Sequence, residues 1–257
     1  MTNDDGLFAP GLISLAAELA PIAQLFIIAP ESQRSAVGHS ITLHKALRLN
    51  RVTIPGIEAE AYTTNGTPTD AIMLGYFAVL NEEKPDLVIS GINRGPNMGE
   101  DITYSGTVAA AMEGALVGIP SLSISLGTFD SVKFTDAAKF CRDFITNHRE
   151  LIPEPPEFLN INYPDLDLKD VKGIKITCLG TRKYKDVVHE KVDPRGYKYY
   201  WIAGVKIFAD NPEGTDIDSI LNGYVSVSPL TLDLTDYGLV EELRKKCNAG
   251  DIPRPTD

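Results

Sequence analysis

Apolar residues recur at helical spacing over 10–20 (PGLISLAAELA) and then run together over 24–29 (QLFIIA) until Pro30. The first pattern predicts an amphipathic helix with Pro10 in its first turn, the second a buried strand. Residues 41–52 and 57–64 alternate roughly on either side of Pro55-Gly56, which predicts a hairpin-like excursion. A helix is predicted from Thr69-Asp70 to about residue 81 and a strand over 86–90 (DLVIS). A helix rich in small residues follows over 105–117, then a strand over 121–126 (SLSISL) and a helix over 135–148. Strands and helices alternating at these intervals predict an α/β, Rossmann-like fold: a mostly parallel sheet with helices on both faces.

Beyond Pro153 the texture changes. Residues 159–163 (LNINY) and 174–178 (IKITC) read as strands. The stretch 183–208 is rich in Lys, Tyr and Gly around Asp193-Pro194-Arg195-Gly196, and its pieces 198–202 and 205–208 predict a β-ribbon. Residues 223–229 alternate cleanly, and a last helix is expected over 239–247. With no internal repeat and no low-complexity linker, the expectation is one unit over 1–257. Its core lies in 1–150, and 151–257 adds core completion, the ribbon and the C-terminal helix.

Composition narrows the function classes. The 257 residues are 43% hydrophobic and 23% charged, with a formal net charge of −11. That balance repels phosphate polymers and anionic membranes, so no nucleic-acid polymer is expected as a partner. An anionic small substrate would need a local device, either a metal ion or a helix N-terminus. Cys141, Cys178 and Cys247 are few, odd in number and widely spaced, which argues against a zinc site or a disulfide framework. The opening residues lack the basic and apolar regions of a signal peptide. The most apolar stretch, 108–126, is interrupted by Glu113, Gly114, Gly118 and Pro120, so no membrane span is expected. Together these features predict a cytoplasmic protein.

In an open parallel sheet, ligands bind outside the carboxyl ends of the strands. Three polar turns occupy such places: Asn3-Asp4-Asp5-Gly6, 31–35 (ESQRS) and 91–97 (GINRGPN). If they converge, two carboxylates meet hydroxyls, side-chain amides and an Arg. Adjacent carboxylates need a neutralising cation or a proton, and oxygen donors without His or Cys suit Mg²⁺ or Mn²⁺. Taken alone, Asp4-Asp5-Gly6 reads equally as a capping or Asx-turn element. A second device is Tyr104-Ser105-Gly106-Thr107 at a helix start, where orphan N–H groups suit a phosphate and Gly106 permits close approach; Ser105 or Thr107 acting as a plain N-cap is the simpler alternative. Neither a Walker A loop, G-x-G-x-x-G, H-E-x-x-H nor G-x-S-x-G occurs. His39 lies near the second turn, within reach of a substrate or of solvent. Arg94 suits either a phosphate or a salt bridge to Glu100 or Asp101.

Several segments in order resemble the SurE (survival protein E) family of 5′/3′-nucleotidases: Thr2-Asn3-Asp4-Asp5-Gly6, Ala9-Pro10-Gly11, Ala29-Pro30 with Ser35 and Gly38-His39-Ser40-Ile41-Thr42-Leu43, Gly66-Thr67-Pro68-Thr69-Asp70, Ser90-Gly91-Ile92-Asn93-Arg94-Gly95-Pro96-Asn97 and Tyr104-Ser105-Gly106-Thr107. Weaker similarity continues through Gly180-Thr181-Arg182, Asp193-Pro194-Arg195-Gly196 and Gly214-Thr215-Asp216. The resemblance implies a metal-dependent phosphomonoesterase acting on nucleoside monophosphates, with side activity on short polyphosphate. It implies one divalent cation per subunit, Mg²⁺ or Mn²⁺, held by Asp4, Asp5, Ser35 and Asn93. Asp4 and Asp5 would be catalytic, and Asn97, Ser105, Gly106 and Thr107 would contact phosphate. It also implies homodimers or homotetramers in which the C-terminal ribbon and helix are exchanged. Two rival readings remain: an aspartyl-phosphate phosphatase, which wants Asp-x-Asp rather than adjacent carboxylates, and a non-catalytic metal- or nucleotide-binding module. One departure bears on the fold. The family has a short apolar strand before Thr-Asn-Asp-Asp-Gly, and here Met1 directly precedes Thr2. The central strand is therefore expected to be missing or nearly so, with neighbouring edges exposed. Either the start is truncated relative to the natural chain or the site is looser than in relatives.

Overall fold

The computed structural model describes residues 1–81, 83–185, 188–202, 205–208 and 211–248. Helix α1 (Pro10–Leu19) starts on Pro10 and buries Gly11, Leu12, Leu15, Ala16 and Leu19 along one stripe, as the 3.6-residue spacing requires. Strand β1 (Phe26–Pro30) runs parallel to β3 (Glu60–Thr64), and β2 (Leu49–Val52) lies antiparallel on β3, which confirms the excursion about Pro55-Gly56. Only the last third of the alternating run 41–52 is strand. Helix α2 (Pro68–Leu74) opens on a capping box: Thr67 Oγ1 accepts from Asp70 N, and Asp70 Oδ2 accepts from Thr67 N. It passes into a π turn (Gly75–Val79) before Asn81, at φ 48°, ends it.

Then follow β4 (Val88–Asn93), a 3₁₀ turn (Gly99–Thr103), α3 (Gly106–Leu116), β5 (Ser121–Leu126), α4 (Phe134–Asn147) and β6 (Phe158–Tyr163). The remainder comprises β7 (Ile174–Ile176), β8 (Arg182–Lys185), β9 (Val188–Val192), β10 (Lys198–Ile202), β11 (Val205–Phe208), α5 (Asp216–Leu221), β12 (Val225–Leu230) and α6 (Tyr237–Asn248). Strands β4, β5 and β6 are mutually parallel; β12 is antiparallel to β6 and parallel to β7. No helix among the described residues is long and apolar enough to cross a membrane.

As expected, the central strand is nearly missing, reduced to an isolated bridge at Thr2, but the expected exposure of the neighbouring edges is corrected by the hydrogen bonds of Met1 and Thr2. Thr2 N donates to Ile89 O and Gly91 N to Thr2 O, while Ile28 N donates to Met1 O. Residues 1–3 thus lie between β1 and β4 and join them into one sheet, in the order β2-β3-β1-(1–3)-β4-β5-β6-β12-β7. So short a stub suffices because successive residues of a central strand bond to opposite neighbours: Met1 pairs with β1 alone and Thr2 with β4 alone. The chain enters Asn3 and Asp4 from the middle of the sheet.

The ribbon also differs from expectation. Strands β10 and β11 do not pair with each other. β10 pairs antiparallel with β9, and β11 with β8, so the ribbon has nested strands and turns at residues 193–197. Asp193 Oδ1 accepts from Arg195 N and Tyr197 N there, an Asx-type turn that an Asp-Pro-x-Gly sequence favours. Helix α5 was not anticipated. Its signal was the Thr215 N-cap, whose hydroxyl accepts from Asp218 N at 3.3 Å.

The two sheet faces differ in chemistry. Ile89, Leu122, Ile124, Leu159, Ile161, Val225 and Val227 pack with α1 and α4 into the main core. Gly11 presses α1 so close to β4 that a Cβ there would stand 1.9 Å from Ile92 O. The alternate positions Ser123, Ser125, Asn160, Asn162, Ser226 and Ser228 are also buried, but polar. They lie on the face covered by α3, where Gly114 meets Ser121 Oγ.

Candidate active site

The three polar turns meet. Asp4 enters from the central stub, and its main-chain O accepts from Arg34 N at 2.7 Å, which fastens the turn after β1 to it. Asp5 Oδ2 accepts from Arg94 N at 3.2 Å, which brings in the turn after β4. Gln33 Nε2 donates both to Asp5 Oδ1 at 3.2 Å and to Ser35 Oγ at 2.9 Å. One NH₂ group therefore serves two of the expected ligands. Asn93 spends its Nδ2 on Gly95 O at 2.8 Å, which leaves Oδ1 as the end free to coordinate.

Asp4 also touches the start of α3. Thr107 Oγ1 donates to Asp4 Oδ1 at 2.6 Å. A Cβ on Gly106 would stand 2.9 Å from Asp4 Cβ, so the missing side chain of Gly106 makes room for Asp4 itself. Ser105 is the N-cap, its Oγ accepting from Val108 N at 3.0 Å. Residues separated by a hundred positions thus share one corner, with the positive end of a helix directed at a carboxylate.

The electrostatics follow from burial. Asp4 is only 5% exposed. Desolvation pushes its pKa up to about 6, with the neighbouring Asp5 charge adding to the rise and the Thr107 hydroxyl opposing it. Asp5, half-buried, is also raised, again chiefly by burial and against the Arg94 N–H and Gln33 amide. Two carboxylates held above their ordinary range, beside a neutral hydroxyl and an amide oxygen, form a donor set for a hard divalent cation. Among the described residues no cluster of three His, Cys, Asp or Glu exists, so any cation here relies on the neutral oxygens of Ser35 and Asn93 as well.

The family model described as survival protein SurE matches residues 1–186. The chain belongs to the SurE family. Curated relatives agree: "5′-nucleotidase SurE" of Aquifex aeolicus is 45% identical over 246 residues, 95% of this chain and 96% of that protein. The protein of the same name from Heliobacterium modesticaldum is 41% identical over 257 residues, 98% of this chain and 93% of that protein. The crystal structure of the SurE protein from Aquifex aeolicus superposes with a TM-score of 0.84 at 43% identity, covering 95% of this chain and 97% of that one.

Within this SurE chain, Asp4, Asp5, Ser35 and Asn93 lie on the converging turns, and Ser105, Gly106 and Thr107 adjoin Asp4. Asn97 is buried and tied inward: Nδ2 donates to Ser125 Oγ at 2.8 Å and its N–H to Asn162 Oδ1 at 3.0 Å. Its main-chain O accepts from Asn160 Nδ2 and Asn162 Nδ2 at 2.8 and 2.9 Å. Sequence reasoning missed Asn160, Asn162 and Ser125 as supports. Their signal was two Asn at i, i+2 in an otherwise apolar strand, opposite two Ser at i, i+2 in the next. His39 is accounted for by Glu113 of α3, 2.8 Å from its Nε2. Arg94 acts on Asp5 through its main-chain N–H and, more weakly, through its guanidinium charge, both of which favour the ionised carboxylate.

Proposed function

We propose that this SurE-family chain is a 5′-nucleotidase, a phosphoric monoester hydrolase that cleaves nucleoside 5′- and 3′-monophosphates to nucleoside and phosphate, with short polyphosphate as a side substrate. The observation that carries this reading is the convergence of Asp4, Asp5, Ser35 and Asn93 beside the start of α3. Nearly full-length relatives named 5′-nucleotidase SurE support it.

One Mg²⁺ or Mn²⁺ per subunit, held by Asp4, Asp5, Ser35 and Asn93, would neutralise phosphate charge and lower the pKa of a water. The chain's own residues do the rest. Asp5 is the more exposed of the two carboxylates and orients the attacking water, accepting its proton as the P–O bond to the nucleoside breaks, while the departing nucleoside oxygen takes up a proton from solvent. Asp4, pinned by Thr107, sets the distance between that turn and α3. The α3 start, with Ser105, Gly106 and Thr107, places partial positive charge against the equatorial phosphate oxygens, and Asn97, held inward by Ser125 and Asn162, supports the loop that leads to it. The ribbon's exposed Val188, Val192, Tyr199, Trp201 and Ile202 support assembly as a homodimer or homotetramer with exchange of the C-terminal segment. Three free cysteines support a reducing, cytoplasmic setting. The whole chain is read as one SurE-like unit.

The test is phosphate release from AMP and GMP with Mg²⁺, with Mn²⁺ and with EDTA. Release that requires the cation is expected. Binding without turnover would replace this reading by a binding module, and a trapped covalent phosphoenzyme by an aspartyl-phosphate mechanism.

A further inference from the structure

The loop 97–99 leads from the cation turn toward the start of α3, and the C-terminal part of the chain holds it at every residue. Asn160 and Asn162 hold Asn97. Met98 is buried against Ile217 and Ile220 of α5. Gly99 N donates to Asp216 Oδ2 at 2.8 Å.

Asp216 has a second engagement. Its Oδ1 accepts from Gly180 N and from Ile217 N, both at 2.7 Å. Gly180 stands at the root of the ribbon, two residues before β8. Just beyond it Thr181 N donates to Asn211 Oδ1 at 2.8 Å and Asn211 Nδ2 to Thr181 O at 3.3 Å, which closes the two stems of the ribbon on each other. The joint is tight: a Cβ on Gly180 would stand 2.5 Å from Asn211 Oδ1 and 2.9 Å from Asp216 Oδ1. Asp216 itself is fully buried. A carboxylate is the one side chain that presents two acceptor oxygens in a fixed plane, so a single residue fastens two backbone segments at once.

We infer that Asp216 is a positioning residue that couples the root of the β-ribbon to the loop leading into the phosphate-binding start of α3. It touches no substrate. It sets where Gly99, and through it the segment to Ser105, lies relative to Asp4, so a displacement of the ribbon reaches the phosphate subsite through one carboxylate. The inference rests on the nucleotidase reading of that site.

Asp216→Asn tests it selectively. An amide has one acceptor oxygen. Turned toward Gly180 and Ile217 it keeps two bonds and sets its NH₂ against the Gly99 N–H, so the loop is released while the ribbon root stays fastened. The expected result is faster amide exchange at Gly99 and in the first turn of α3, with protection at Thr181 and in β5 retained. The kcat/KM for AMP should fall about tenfold to a hundredfold, the scale of one charge-assisted hydrogen bond, with KM and kcat resolved separately. Gly180→Ala pushes on the same joint from the ribbon side and should also speed exchange at Gly99; it decides the matter if Asp216→Asn does not fold. Folded variants with wild-type exchange at Gly99 and wild-type kcat/KM would overturn the coupling. If the unaltered protein releases no phosphate from AMP, the nucleotidase reading falls, and the exchange data alone decide whether the ribbon root and the loop are joined.

Discussion

Replacing Asp4 by Asn should make the metal-stripped protein more stable while destroying its activity. The side chain is buried against the first turn of α3. Burial raises its pKa from 3.8 to about 6, so ionisation costs more in the folded than in the unfolded chain. At pH 7 that difference is about 3 kcal/mol, at 1.36 kcal/mol per pKa unit. The sign follows from proton linkage: between about 6 and 4 the folded state binds more protons than the unfolded one, so the stability of the wild type rises as pH falls through that window. Asn keeps the acceptor for Thr107 Oγ1 and carries no charge to desolvate. In EDTA, urea denaturation should therefore show Asp4→Asn more stable by about 3 kcal/mol at pH 7, with the advantage shrinking to about half at pH 5 as the wild-type carboxyl takes up its proton. Added Mg²⁺ or Mn²⁺ should stabilise the wild type and leave the variant unmoved. A variant no more stable than wild type at pH 7, or an advantage that does not shrink on acidification, would show that burial of Asp4 is not what strains this site.

Asp5→Asn should abolish cation-dependent phosphate release with a thermal melt close to wild type, since this side chain is half-exposed; retained turnover would remove Asp5 from the chemistry. Asn162→Leu leaves the Asn97 N–H buried without its acceptor and should cost about 1–3 kcal/mol in urea denaturation, along with weaker phosphate product inhibition. Gly11→Ala puts a Cβ 1.9 Å from Ile92 O, where only backbone can give way. Lifting α1 off β4 should cost about 3 kcal/mol, read as a lowered denaturation midpoint.

Local pattern carried the elements and the three polar turns; the particular residues proposed within those turns came from the resemblance to the SurE family. The 3.6-residue stripe of α1, the apolar runs of β1, β4, β5 and β6, and the small-residue helix α3 are each written in a window of a dozen residues, because they depend on periodicity and burial alone. The three polar turns were visible for the same reason: each directly follows, or stands in for, a strand of a parallel sheet. What the sequence by itself could not decide was partnership between distant segments. That residues 1–3 complete the central strand depends on hydrogen bonds to Ile89 and Ile28, neither of which alters the local pattern. That β10 turns back on β9 and not onto β11 depends on where the ribbon bends, at Asp193. Gly106 was marked as room for a ligand, and only the packing reveals Asp4 filling that room. Asp216 in its short helix gives no local sign that its two oxygens fasten Gly99 and Gly180. A side chain's type is fixed where it stands in the chain, but a hydrogen bond across a hundred residues exists only once the sheet has brought its two ends together.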